Sequence, residues 1–482
     1  MSKARGAIEV RDKGLKPNAI SFASNIVIGV ASAAPAYSLA SALGTIAGLV
    51  AFGAPAILLA AFVPMLCVAA ACYHLNRTQP DCGTTFSWVS HAMGPYAGWI
   101  SGWAMIVTNI IVMPSLAVIA GQYTAQLFGI TEPGPLLVAA IGVAWIAAMT
   151  AICYRGIELS ARTQRVLLGA EFVVLVLFAV LALAKVYGGH APAAASPVSG
   201  GWFNPLAAGT ADAFTQALLV AVFIYWGWDT GLTVNEETEN PASGPGKAAL
   251  ISNLLLVGVY LLVAVAALAF AGPDVLARNS ADVFAPLGRQ VLGPGLDKLL
   301  ILAVLTSASA STLTSILPAA RTALSMANAG AIPARFAGMH PRFMTPGYAT
   351  LVMGAVSMAW FVGLTLLSKN VLDDSILALG LCIAFYYAMT AFACVILHWP
   401  ILFQSVRNFV FIGVLPMAGG LMMAALFVLS CVSLARTGAT TLLGIGGPLV
   451  IGLGALVLGF VLMLLARRQS AAFFEAGKRA VV

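Results

Sequence analysis

The feature that most constrains this chain is a recurrence. Stretches long enough to cross a bilayer and free of Asp, Glu, Lys and Arg return from one end to the other. A spanning helix needs about 20 mainly apolar residues to cross roughly 30 Å of hydrocarbon. The run from Ala19 to Tyr73 is long enough for two such helices, and Tyr96 to Phe128 and Gly134 to Tyr154 add two more. A weaker span, Gln164 to Tyr187, is interrupted by Glu171, and Asp212 and Asp229 bracket the next strong one. Ala248 to Gly272, Leu299 to Ala320, Phe343 to Ser368, Ser375 to Leu397, Asn408 to Ala435 and Thr437 to Ala466 complete the set. The sum is about twelve. Only 9% of the 482 residues are charged, against roughly a quarter in soluble domains. Lipid offers no partner to an open sheet edge, so runs of this length predict helices rather than a barrel. The expected fold class is an all-α integral membrane protein.

Lys and Arg in the short connections set the expected orientation. With the N-terminus inside, Lys3, Arg5, Arg11, Lys13, Lys16, Arg77, Arg155, Arg162, Arg165, Lys247, Arg321, Arg335, Arg342, Arg407, Arg467, Arg468, Lys478 and Arg479 are cytoplasmic. Lys185, Arg278, Arg289, Lys298, Lys369 and Arg436 face the other side. That distribution, 18 against 6, predicts both termini in the cytoplasm and accounts for the net charge of +7 without nucleic acid. The N-terminus also imitates a cleavable signal peptide, with a basic start, an apolar run and the small residues Ala31, Ser32 and Ala33. Five basic residues spread over sixteen are long for such a leader, and cleavage would remove the first apolar helix. The seven cysteines sit mostly inside apolar runs without metal-like spacing and read as small core residues.

The expected organisation is a cytoplasmic tail at 1–18, one membrane domain at 19–466 and a short basic tail at 467–482. The Ala-, Gly-, Pro- and Ser-rich loop Gly188 to Asp212 is expected to close over the outer face. Ser280 to Val291 suits a short amphipathic helix, and Asp81 to Pro95 suits a helix along the cytoplasmic face.

Many transporters hold substrate near the midplane, where two helices unwind and expose peptide groups; the pointer is a Gly or Pro interruption at corresponding places in two repeats. In the first run Ile28, Gly29, Val30, Ala31, Ser32, Ala33, Ala34 and Pro35 combine a flexible glycine with a proline that has no N–H. In the sixth, Phe223, Ile224, Tyr225, Trp226, Gly227, Trp228 and Asp229 put a glycine among aromatics and end on a carboxylate. First and sixth fit a five-plus-five inverted repeat, about 19–187 and 212–398, with two extra helices at about 408–466. Either glycine alone is equally a site of close helix packing.

An acid in a spanning helix costs about 2.5 to 3.5 kcal/mol on insertion scales, so Asp229 and Glu171 are candidate proton or cation sites. Their bland alternatives are a boundary position beside Glu236, Glu237 and Glu239 for Asp229, and a pair with Arg165 or Arg321 for Glu171. The aromatic faces of Phe223, Tyr225, Trp226 and Trp228 suit an ammonium. Ser311 and Thr312, in a Ser/Thr-rich eighth run, are candidate ion ligands, with helix packing as the alternative.

NIVIGVASAAPA from Asn25, PDCGTTFSWVSHAMGPYAGWISGW from Pro80, FIYWGWDTGLTVNEETENP from Phe223 and MANAGAIPARF from Met326 resemble permeases of the amino acid, polyamine and organocation (APC) superfamily. The likeness runs over nearly the whole chain. It implies a LeuT-like fold with broken helices 1 and 6, and secondary transport of an amino acid or related amine. It places the first turn on Ile28, Gly29 and Val30, where only the middle residue is glycine. Backbone N–H groups from Gly29 to Ala31, or at Ser32 to Ala34, would take a carboxylate, and carbonyls near Phe223 to Trp226 an ammonium. Phe223 matches the aromatic gate, with Trp228 beside it, and Asp229 matches the family's acid. Glu171 lies near a position where some relatives carry a lysine in place of sodium. The expectation is a proton-coupled amino acid importer of the cell membrane, with sodium as the alternative ion and no other cofactor or metal. A polyamine permease and an amino acid exchanger are the nearer rivals. An enzyme would need convergent His, Cys or acids, whereas His74, His91, His190, His340 and His398 are scattered.

Overall fold

The computed structural model describes residues 12–130, 132–207, 209–280, 282–367, 371–436, 441–442 and 445–479. Lys3, Arg5, Arg11 and Lys369, counted above, lie outside the described residues, as do 1–11 and 480–482 of the expected tails.

The first apolar run folds as α1 (Phe22–Ala33), α2 (Pro35–Val50) and α3 (Ala54–Thr78). A short helix, α4 (Thr85–Met93), leads into α5 (Pro95–Ile111), α6 (Met113–Leu127), α7 (Pro135–Tyr154) and α8 (Ile157–Tyr187). After the loop come α9 (Ala211–Tyr225), α10 (Thr230–Thr233), α11 (Gly244–Ala271), α12 (Pro273–Arg278), α13 (Phe284–Val291) and α14 (Asp297–Asn328). The chain ends with α15 (Gly347–Leu367), α16 (Val371–Leu397), α17 (Trp399–Leu402), α18 (Val406–Asn408), α19 (Leu415–Arg436), α20 (Gly447–Gln469) and α21 (Ala471–Arg479). Two strands of two residues each, β1 (Thr441–Leu442) and β2 (Ile445–Gly446), make an antiparallel hairpin before α20.

Among the described residues ten helical runs are long and apolar enough to cross a bilayer. Two places separate this from the expected twelve. Phe22–Thr78, 57 residues long, forms one run holding α1, α2 and α3, and α9 falls below spanning length. Helix α8 starts seven residues before the expected Gln164, because Arg162 and Arg165 lie on its exposed side and do not interrupt it. Proline begins α2, α5 and α7, where its missing N–H leaves no intrahelical bond unmade.

Helices α1, α2 and α14 sit at the centre. Helix α14 is buried almost continuously from Leu300 to Ala327, and it packs on α5, α6, α8 and α1. The outer helices α7, α15, α19 and α20 present large apolar side chains outward, among them Leu136, Leu366, Val428 and Phe460. Water would penalise such a surface, whereas acyl chains match it. This is a multi-pass membrane protein. Trp202 of the long loop stacks on Phe52 at 4.8 Å, capping one face. On the other, Phe473 of α21 stacks on Phe86 of α4 at 5.9 Å, near the segment that carries Lys13.

Arg321 of α14 is 1% exposed and clasps Glu237 through two hydrogen bonds, 2.6 Å from Nε and 3.0 Å from Nη2. Removing one partner of such a pair strands a buried charge at about 3–5 kcal/mol, whereas removing both costs far less. Arg321→Met is therefore expected to lower the melting temperature of the purified protein sharply, and Arg321→Met with Glu237→Gln to recover most of the loss. Equal melting of single and double variants would show that the clasp is not a coupled pair.

Candidate functional site

Pro35 decides where the first run comes apart. It has no N–H to donate, and its ring disfavours helical backbone at the preceding residue. Helix α1 therefore stops at Ala33, Ala34 turns into the left-handed region (φ 46°, ψ 69°), and α2 starts at Pro35. The turn expected on Ile28, Gly29 and Val30 is displaced toward the C-terminus. Those three residues, with Ala31, Ser32 and Ala33, are helical and buried. Gly29 answers to packing: a Cβ there would stand 2.7 Å from Ser252 Oγ and 3.1 Å from the Trp228 carbonyl oxygen.

The second break follows α9. Trp226 is extended (φ −64°, ψ 146°), Gly227 takes φ 115°, and α10 begins at Thr230. A Cβ on Gly227 would lie 2.7 Å from the Ser32 carbonyl carbon and oxygen and 2.9 Å from Ala33 N. The two breaks thus meet backbone to backbone. Hydroxyls fasten the junction. Ser32 Oγ and Thr230 Oγ1 are 2.7 Å apart, and Ser311 donates to the Ser32 carbonyl at 3.0 Å. Tyr260 donates to the Ile224 carbonyl at 2.6 Å and lies 3.3 Å from that of Ala33. Thr312 instead bonds back to Ala308 of its own helix at 2.8 Å, so only Ser311 of that pair reaches the break.

Glu171 lies against the start of α2. Its Oε1 accepts the Ala36 N–H at 2.7 Å and the Ser307 hydroxyl at 2.8 Å, and Ser307 Oγ accepts the Tyr37 N–H at 3.2 Å. A carboxyl here meets the unsatisfied first-turn donors and the positive end of the helix dipole. Its Oε2 is buried with no hydrogen-bond partner. The alternative pairings fail: Arg321 holds Glu237, and Arg165 makes no ion pair among the described residues. Asp229 is also away from water, 7% exposed, and accepts the Tyr386 hydroxyl at 2.9 Å. Trp226 Nε1 donates to the same hydroxyl at 2.5 Å, so indole, phenol and carboxyl form a chain. Phe223 meets Tyr37 edge-on at 6.1 Å, Tyr225 meets Tyr260 at 5.1 Å, and Trp228 lies on Tyr387 at 5.5 Å. Tyr260 and Tyr386 are the participants that sequence reasoning missed; each sits in an unbroken helix, and nothing in its neighbours in the chain sets it apart. Ser307 lies in the Ser/Thr-rich run, from which the sequence reading singles out Ser311 and Thr312 instead.

The segment before α1 straps one face of this junction. Lys13 Nζ lies 2.8 Å from Asp81 Oδ2, 2.6 Å from Glu236 Oε1 and 3.5 Å from Cys82 Sγ. Asp81, Cys82 and Glu236 are close enough together to hold a metal ion, but the ammonium fills the space between them. Ile20 adds a backbone bridge, donating to the Glu237 carbonyl at 3.0 Å and accepting from the Glu239 N–H at 2.9 Å. Burial pushes the Asp81 carboxyl up. The Lys13 charge, with hydrogen bonds from Lys13, Ser87 and the Gly83 N–H, outweighs it and holds the group below the usual carboxylate range. At the opposite face Tyr123 bonds Asp282, and the Val283 N–H reaches the Ala40 carbonyl at 3.2 Å.

Two predictions follow from this geometry. Gly227→Ala should destabilise by about 1–3 kcal/mol from overpacking and roughly 1 kcal/mol or more from the positive φ, read as a lower melting temperature; unchanged melting would refute the close approach. Because its folded-state pKa is depressed, Asp81 stabilises above its ordinary value, and that contribution fades as pH falls through the folded value. The melting difference between wild type and Asp81→Asn should be large at neutral pH and close in strong acid. A constant difference across that range would show that the Lys13 contact does not depend on the Asp81 charge.

A family model described as amino acid permease matches residues 17–466. An uncharacterized transporter of Mycobacterium tuberculosis (strain ATCC 25618 / H37Rv) is 31% identical over 306 residues, 62% of this chain and 63% of the relative. A branched-chain amino acid permease of Bacillus subtilis (strain 168) is 26% identical over 301 residues, 58% of this chain and 60% of the relative. A vacuolar cationic amino acid transporter of Arabidopsis thaliana is 25% identical over 352 residues, 67% of this chain and 56% of the relative. The aligned part thus spans less than two thirds of the length of each. All three are transporters or permeases rather than enzymes.

Proposed function

This chain belongs to the amino acid permease family, and from that premise we propose that it is a secondary transporter importing an amino acid across the cell membrane by alternating access, coupled to protons. One observation carries the reading most of the way: two interrupted helices meet at Gly227 and Ser32, with the buried carboxyls of Glu171 and Asp229 flanking the contact. Peptide groups freed at such breaks bind the two charged ends of a zwitterion. Residues 19–187 and 212–398 form the two repeats, 408–466 add two helices, and both termini are cytoplasmic.

In this mechanism Glu171 competes with the substrate. While ionised it holds the Ala36 N–H at the start of α2. Protonation weakens that hold and leaves the helix end, together with the peptide groups around Ser32 to Ala34, to the substrate carboxylate. The ammonium lies against carbonyls near Phe223 to Trp226, with Asp229 as counter-charge through Tyr386 and Phe223 as gate. Ser311, aimed at the Ser32 carbonyl, marks where a cation would sit if sodium took the proton's place. A second reading has its own support. A carboxyl already occupies the start of α2, which suits an amine that lacks one, such as a polyamine.

Reconstituted protein should accumulate a labelled amino acid under an inward proton gradient and lose it when the gradient is collapsed. Glu171→Gln should keep exchange but lose at least about tenfold of gradient-driven accumulation, equivalent to about 1.4 kcal/mol, and Asp229→Asn should raise the half-saturating concentration. Competition by putrescine and not by amino acids would select the second reading, a sodium requirement would replace the proton, and exchange without net accumulation would identify an exchanger. A well-folded protein that moves no amino acid or amine in either mode would end the proposal.

A further inference from the structure

A cavity of about 380 Å³ opens where the end of α3 meets the chain that follows α16. It lies apart from the transport junction, and its chemistry is distinctive. His74, Arg77, His398 and Arg407 all line it, and no carboxylate does. Among the described residues neither guanidinium makes an ion pair. Two cations facing one cavity repel, and the cost falls when an anion sits between them.

The floor is built rather than incidental. His398 is 7% exposed, with Nδ1 2.9 Å from the Cys394 carbonyl and Nε2 2.8 Å from Thr78 Oγ1. A carbonyl only accepts, so Nδ1 carries the proton, while the Thr78 hydroxyl on Nε2 also lies 3.1 Å from the His74 carbonyl. The ring thereby ties the end of α3 to the end of α16. The His74 ring stands 6.4 Å away. Phe411 and Ile412 form the apolar wall, on a π-helical turn spanning Phe409–Val414, a rare distortion that is frequent at functional sites.

Trp399 and Phe403, two positions either side of the lining residue Ile401 in the chain, and Phe411 of the wall are at least half exposed, at 59%, 70% and 50%. Exposed aromatics beside arginines mark the level of lipid headgroups, and the planar fork of a guanidinium matches the oxygens of a phosphate. We propose that this cavity binds a phosphate group presented by the headgroup of an anionic phospholipid, with Arg77 and Arg407 on the phosphate and an acyl chain along Phe411 and Ile412. The inference is independent of what the protein transports.

The test uses full-length protein in a neutral detergent, titrated separately with phosphatidylglycerol, phosphatidylcholine and inorganic phosphate while its melting is followed. Phosphatidylglycerol should raise the melting temperature of the wild type and phosphatidylcholine should not. Loss of each arginine, as Arg77→Gln or Arg407→Gln, should raise the half-saturating lipid concentration about fivefold. Stabilisation by inorganic phosphate and not by the lipid would keep the phosphate site but move its source to solution. The proposal is overturned if neither probe stabilises the wild type, or if both probes act equally on variants that melt like the wild type without lipid. Arg407→Gln serves as the second variant because Arg407 lies on an exposed segment, where its loss leaves the helix packing intact.

Discussion

The contact between Gly227 and the Ser32–Ala33 peptide is the constraint on which the centre of this molecule rests. Peptide groups in lipid must find partners within the protein, so an interrupted helix survives only where something supplies them. Here each interruption is supported at the other. The Ser32–Thr230 hydroxyl pair, the Ser311 bond to Ser32 and the two-sided reach of Tyr260 all span the same junction. A side chain at position 227 would hold the two backbones apart and weaken every one of these bonds together.

Charge is placed around that junction by the same economy. Glu171 meets the start of α2, Asp229 meets a phenol, and Arg321 is neutralised by Glu237. Lys13 is gathered by Asp81 and Glu236 on a strand of chain that also bridges Ile20 to the segment after α10. The strap and the second break are therefore mechanically joined. Movement of the 230–239 segment away from α1 must disturb Lys13, and release of Lys13 must loosen the segment. In the alternating-access cycle proposed above, this linkage would join the site to the face that opens.

The legibility of the site follows from how local each cause is. Phe223, Gly227 and Asp229 fall within one short stretch of the chain, and their departure from an apolar helix is visible without coordinates. Gly29 misled because a glycine in an apolar helix serves both unwinding and close packing, and only the Ser252 and Trp228 atoms beside it decide between them. The break fell instead at the residue before Pro35, whose effect is covalent and local. Glu171 was visible as an acid out of place, but its partners Ala36 and Ser307 lie more than a hundred residues away. Tyr260 and Tyr386 carried no signal, since a tyrosine in a buried helix becomes a ligand only through what it faces.

What the amino-acid sequence determined by itself was that the chain crosses lipid many times as helices, with two places marked as candidates for irregular backbone. Both conclusions rest on properties of consecutive residues: transfer of apolar runs out of water, and backbone limits imposed by proline and glycine. Which peptide groups meet, which hydroxyl faces which carbonyl, and which acid finds a helix end rather than an arginine were decided only by tertiary packing. Those pairings join residues far apart in the chain at separations of about three ångströms, and no periodicity along a strand of sequence encodes a distance across the bundle.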